Sequence, residues 1–169
     1  MRDAYSHRIR RKTIEYLDSF SPKIVHSYIS FGSEVSTHGI IQDLFDRKIK
    51  VVVPLTRGEK NNEYMIHSQI EDLEDLRPGN FNVPEPSVIK ESSLDQLDAI
   101  IIPVVAFDGS GMRLGYGKGF YDKFLSRLDP KIARIGLAFS IQEMDKIPML
   151  PHDELMNSLI NEKSHFFFK

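Results

Sequence analysis

Thirteen residues, RLGYGKGFYDKFL at positions 113–125, hold the densest run of chemistry-bearing side chains in the chain. Glycines at 115, 117 and 119 remove side chains at alternate positions, so an anion can come close to the backbone amides. Arg113 and Lys118 add positive charge, and Asp122 offers a hard carboxylate oxygen of the kind that holds magnesium against phosphates. The spacing fits neither of the common phosphate loops. Met112 stands where a Walker loop needs its first glycine, and Phe120 where a dinucleotide fingerprint needs its third. On spacing alone, a phosphate cradle and a glycine-rich turn with surface charges are equally good readings.

The elements around this stretch decide where it sits. Between Ala4 and Phe20, apolar residues recur at three- and four-residue steps, which predicts an amphipathic helix whose other face is the basic run RIRRK. KIVHSYI predicts a buried strand, and HGIIQDLFDRK a helix capped by Ser36 or Thr37. KVVVPL follows as a second strand, and EYMIHS is a candidate third. LRPGNFNVPEPS carries too much proline and glycine for regular structure and predicts a surface loop. DAIIIPVVAF reads as a central strand buried on both faces, and GFYDKFLSRL as a helix turning Phe120, Phe124, Leu125 and Leu128 inward. ARIGLAF and SLIN read as further strands. Strands alternating with helices predict an α/β fold: a three-layer, Rossmann-like open sheet, mainly parallel, with flanking helices, in a single domain over residues 1–169. The glycine stretch then lies beyond the carboxyl end of a central strand, where such sheets bind ligands.

Composition narrows the function classes. A formal charge of −2 supplies no global field for nucleic acid, and no apolar run approaches the roughly 20 residues of a membrane span. The expectation is therefore a cytoplasmic protein, a monomer, with neither nucleic acid nor membrane as partner. The absence of cysteine removes disulfides, thiolate zinc sites and a cysteine nucleophile. The six histidines show no HExxH arrangement, and no role is assigned to them.

PVVAFDGSGMRLGYGKGFYDKFL resembles the signature of the 5-formyltetrahydrofolate cyclo-ligases, also called methenyltetrahydrofolate synthetases. VVVP, LRPGNFNVPEP, IGLAFSIQ and LPHD occur in the family's order, so the likeness covers roughly residues 24–155. It implies conversion of 5-formyltetrahydrofolate to 5,10-methenyltetrahydrofolate, driven by ATP with magnesium and releasing ADP and phosphate. By the same resemblance Arg113, Leu114, Gly115, Tyr116, Gly117, Lys118, Gly119, Phe120 and Tyr121 form the nucleotide loop, with Arg113 and Lys118 as the catalytic cations. Asp122 and Asp153 would hold the metal, and Ile29 and Glu34 would contact the folate. The resemblance also implies an additional basic helix, with a Lys and an Arg on ATP, ahead of the helix near which this chain starts. RIRRK is a candidate substitute, although a solvated helix face explains it as well. Phe120 replaces a common tyrosine and Asn157 a frequent acid. The alternative reading is a non-catalytic folate- or nucleotide-binding relative.

Overall fold

The computed structural model describes residues 1–79 and 82–169. Along the chain, α1 (Arg2–Asp18), β1 (Ile24–Ser27), α2 (His38–Asp46), β2 (Lys50–Arg57) and β3 (Tyr64–Ile70) precede a small ladder of β4 (Leu76–Pro78) and β5 (Pro84–Pro86). Next come β6 (Ala99–Pro103), β7 (Ala106–Phe107), β8 (Arg113–Leu114) and α3 (Phe120–Leu125). The chain continues through β9 (Ala133–Leu137), a 3-10 turn at Ser140–Gln142, β10 (Ser158–Ile160) and β11 (His165–Phe167). Seven strands form one sheet in the order β11-β10-β9-β6-β1-β2-β3. Its interior pairs are parallel, and the β2–β3 and β10–β11 pairs at its two edges are antiparallel.

Aliphatic runs build the centre because both faces are covered. Val51, Val53, Ile101 and Ile135 join the core beneath α1 and α2, whereas Val52, Ile100, Ile102 and Leu159 join Phe124 and Leu125 of α3 on the opposite face. Each fully buried aliphatic side chain contributes about 1.5–3 kcal/mol, and truncating one such as Ile101 to alanine costs about 2–5 kcal/mol. The outer edge of β3 is also occupied. Gln69 donates its amide to the Lys90 carbonyl, Ser92 its amide to the His67 carbonyl, and Lys90 its amide to the Ser68 hydroxyl. No helix among the described residues is long and apolar enough to cross a membrane.

Four local expectations change. Thr37 is the N-cap residue of α2, but its hydroxyl donates to the Tyr28 carbonyl and accepts from the Ser30 amide, so it ties the helix to the end of β1 instead of capping it. The proline-rich stretch expected as a loop forms the β4–β5 ladder, while Asn80 and Phe81 lie outside the described residues. The expected strand over residues 98–107 divides into β6 and β7, and the Gln142 side-chain amide donates to the carbonyls of Val104 and Val105 at the break. Finally, α3 is six residues long. Phe124 and Leu125 are buried as expected and Leu128 packs on the same core from beyond the helix end, but Phe120 stands in the wall of a cavity.

Candidate functional site

That cavity, about 990 Å³, opens beyond the carboxyl ends of β1 and β6, where the strand order reverses. The chain after β1 contributes Ile29, Phe31 and Glu34, β2 contributes Pro54 and Thr56, and the segment from Met112 to Lys123 forms the longest wall. A turn at Leu150–Glu154 closes the far side. The residues expected to contact nucleotide, folate and metal therefore meet here: Ile29, Glu34, Arg113 through Asp122, and Asp153.

At one end Arg113, with a side chain only 4% exposed, donates through Nη2 to Asp122 Oδ1 at 3.1 Å. The Glu154 backbone amide donates to the same oxygen at 3.0 Å. Burial lowers the Arg113 pKa, while Asp122, then Tyr121 and Asp153, pull it upward; a guanidinium stays charged in such surroundings. Its cation lies 5.8 Å from the Tyr121 ring centroid. The Tyr121 hydroxyl and Arg113 Nε are buried without hydrogen-bond partners among the described residues. Asp153 accepts the Leu150 amide at 2.7 Å.

Among the described residues no three His, Asp or Glu side chains gather into a metal cage. Magnesium does not need one: it is ordinarily held by one or two carboxylates with water and phosphate oxygens completing its shell. Asp122 and Asp153 both line the cavity and offer the hard carboxylate oxygens that such an ion takes.

The other end is built from the glycine loop. Gly117 and Gly119 have φ of +88° and +65°, a region that favours glycine, and a Cβ on either would meet no protein atom within 4 Å. Gly119 in this conformation starts α3 and turns the chain from the loop into the helix that carries Asp122. Lys118 donates to Glu63 Oε1 at 2.7 Å, and its ammonium is 5.8 Å from the Phe120 ring centroid. Tyr116 donates its hydroxyl to Glu34 Oε1 at 3.1 Å, and the Phe31 amide donates to Oε2 at 2.9 Å. Burial raises the Glu34 pKa against the pull of these two donors. Burial, then the neighbouring Glu34 carboxylate, pushes Tyr116 up to about 12.

Two further features bear on the site. His26 Nε2 and His67 Nδ1 lie 3.0 Å apart between the sheet and Phe124 of α3, and desolvation lowers both pKa values, His67 to about 4. Sequence reasoning missed Glu63 and Glu154, and also the Arg57–Glu85 pair, 2.9 Å apart, whose Glu85 lines the wall. None of RIRRK lines the cavity: Arg10 forks onto Asp43, Arg11 faces Glu15 and Lys12 donates to the Asn161 carbonyl, so the run is a helix face and does not replace nucleotide ligands. Asn157 accepts the Arg134 amide and anchors β9 outside the cavity.

The profile of the 5-formyltetrahydrofolate cyclo-ligase family matches residues 2–162. The 5-formyltetrahydrofolate cyclo-ligase of Saccharomyces cerevisiae is 30% identical over 178 residues, covering 93% of this chain and 84% of the yeast one. That of Mus musculus is 29% identical over 165 residues, covering 92% and 81%. Among solved structures, the 5,10-methenyltetrahydrofolate synthetase of Aquifex aeolicus superposes with a TM-score of 0.77 at 27% identity, over 96% of this chain and 82% of its own.

Proposed function

The chain belongs to the 5-formyltetrahydrofolate cyclo-ligase family, and we propose that its cavity converts 5-formyltetrahydrofolate to 5,10-methenyltetrahydrofolate with ATP, releasing ADP and phosphate. One observation carries the assignment of the site. A single loop carries Asp122 and touches Glu34 through Tyr116, so a nucleotide tail and a folate ring bound by these groups share one cavity.

The roles follow from charge and position. The formyl oxygen attacks the terminal phosphorus of ATP, ADP leaves, and the neighbouring folate nitrogen closes the ring as the phosphorylated oxygen departs. No protein nucleophile takes part, so the protein's contribution is alignment and neutralisation of charge. Arg113 and Lys118 supply the catalytic cations, and the loop from Leu114 to Tyr121 seats the phosphates. Lys118 must exchange Glu63 for phosphate oxygens when the nucleotide arrives. Asp122 and Asp153 would hold magnesium, which would supply positive charge against the phosphates. Glu34, with Ile29 beside it, takes the polar edge of the folate ring, a role that requires it to part from Tyr116.

We read residues 1–169 as one domain, supported by a sheet that runs unbroken from β3 to β11. We also read the protein as a monomer of the cytoplasm, a reducing compartment in which a cysteine-free chain loses nothing.

The test is to follow methenyltetrahydrofolate by absorbance, with ADP and phosphate measured together, with and without ATP and magnesium. The expected result is one ADP and one phosphate for each ring closed. Ring closure at the same rate without ATP would overturn the mechanism, and ATP binding without turnover would favour a non-catalytic binding relative.

A further inference from the structure

Asp122 is held from behind. Arg134, on β9 with a side chain 9% exposed, donates through Nη1 to Glu154 Oε2 at 2.7 Å and through Nη2 to the carbonyl of Leu125 at 3.1 Å. Leu125 is the last residue of α3, the helix on which Asp122 stands, and Glu154 ends the turn that carries Asp153. One guanidinium thus joins the two elements from which the carboxylates of the metal end come. The backbone amide of Glu154 then donates to Asp122 Oδ1, the oxygen that also accepts from Arg113.

We propose that Arg134 and Glu154 are positioning residues that fix the Asp122 carboxylate and the Asp153 turn, and so set how tightly the site binds magnesium with its nucleotide. The proposal rests on the reading of Asp122 and Asp153 as metal ligands. Glu154 stands at the edge of the cavity wall, and its role in this scheme is to hold Asp122 and the turn. Arg134 acts through Glu154 and through α3, and it is absent from the cavity wall.

Geometry gives three reasons for this assignment. First, the backbone of Arg134 is itself pinned, because its amide donates to Asn157 Oδ1 at 2.8 Å and its carbonyl accepts the Asn157 amide at 3.0 Å; the guanidinium therefore works from a fixed base. Second, Asp153 closes the turn by accepting the Leu150 amide and donating its own amide to the Leu150 carbonyl, the Glu154 amide ties it to Asp122, and the Glu154 side chain ties it to β9. Third, pairing with Arg134 keeps the Glu154 carboxylate engaged. Released, it would be a third acid beside Asp122 and Asp153, competing for Arg113, whose charge already feels both of them. Groups that orient metal-binding carboxylates in this way change metal affinity by roughly 10- to 100-fold when altered.

Calorimetry of ATP binding across a magnesium titration tests this without recourse to turnover. The series is wild type, Arg134→Met, Arg134→Lys, Glu154→Gln and Asp122→Asn, each with its melting curve. Arg134→Met and Glu154→Gln should raise the magnesium concentration needed for half-maximal ATP binding about tenfold, leaving metal-free ATP binding unchanged, while Arg134→Lys restores part of the loss. Because the Glu154 side chain is 30% exposed, Glu154→Gln keeps the test decisive even if Arg134→Met fails to fold. Wild-type magnesium profiles in both Glu154→Gln and folded Arg134 variants, alongside a shifted Asp122→Asn, would overturn the positioning role alone. An unshifted Asp122→Asn would overturn the metal reading and this inference with it.

Discussion

The two ends of the cavity are built differently although one loop joins them. At the Asp122 end, Arg113 is almost fully buried, its carboxylate partner receives a second donor from the Glu154 backbone, and Arg134 braces both supporting elements from the sheet. At the Glu34 end, the carboxylate takes one donor from the Tyr116 hydroxyl and one from the Phe31 backbone, and Lys118 pairs with Glu63. Tyr116 is 64% exposed, and the Lys118 side chain is 43% exposed. Buried, multiply bonded groups keep their positions through a reaction, which is what stabilising charge on a transferring phosphoryl group requires. Partly exposed ion pairs and hydrogen bonds exchange partners at little cost. On the proposed roles, the fixed end holds the metal and the reacting phosphate, whereas at the adaptable end Lys118 turns from Glu63 to phosphate oxygens and Glu34 turns from Tyr116 to the folate.

Asp122→Asn should break the fixed end and gives the largest expected effect. It removes the negative charge facing Arg113 and a metal oxygen, and should lower kcat by about 10²–10³, the range for losing one preorganised electrostatic contact. Steady-state rates with melting curves check it; wild-type turnover in a folded variant would show that the two ends do not differ as described.

Acid probes the ground beneath the fixed end. Because the folded-state pKa of His67 lies near 4, below the 6.5 of an exposed histidine, and His26 is lowered as well, the unfolded chain binds more protons between those values. Stability is therefore complete above about pH 6.5 and declines as pH falls towards 4, by up to about 1.4 kcal/mol per pH unit for each proton taken up on unfolding. Melting temperatures from pH 8 to pH 4.5 should trace this decline, and His67→Gln should flatten it. An unchanged slope in that variant would remove the pair from the account.

Glu34→Gln tests the adaptable end and should act most mildly. Folate affinity should fall about tenfold, the worth of one charge-assisted hydrogen bond, with ATP affinity unchanged by calorimetry. A loss in ATP affinity alone would reverse the assignment of the ends.

Central strands could be read from the sequence because burial on both faces demands unbroken aliphatic runs, as in VVV of β2 and AIII of β6. The β4–β5 ladder could not, since its prolines contradict strand propensity and only the pairing of the two segments rescues them. Strand β11 was missed because HFF is too short to show a period. Within the site, the glycine loop and Asp122 stood out by local spacing, and the family resemblance added Glu34 and Asp153. Their connections did not stand out. Lys118 meets Glu63 across 55 positions and Tyr116 meets Glu34 across 82, and Arg134 reaches Glu154 only because β9 lies beneath that turn. Such pairings arise from topology, and isolated charged residues carry no mark of them.

The segment Lys90–Ser92 along β3 has a consequence for how the molecule behaves in a crowd. An antiparallel edge strand offers alternate amides and carbonyls to any passing chain, and strand addition there begins many aggregates. Here the Gln69 amide and the His67 carbonyl are already taken by the protein's own backbone. Growth of the sheet into a second copy is thereby blocked at the middle of that edge, within the same strand whose hairpin brings Glu63 to the loop, so the adaptable end can exchange partners without baring a sticky strand.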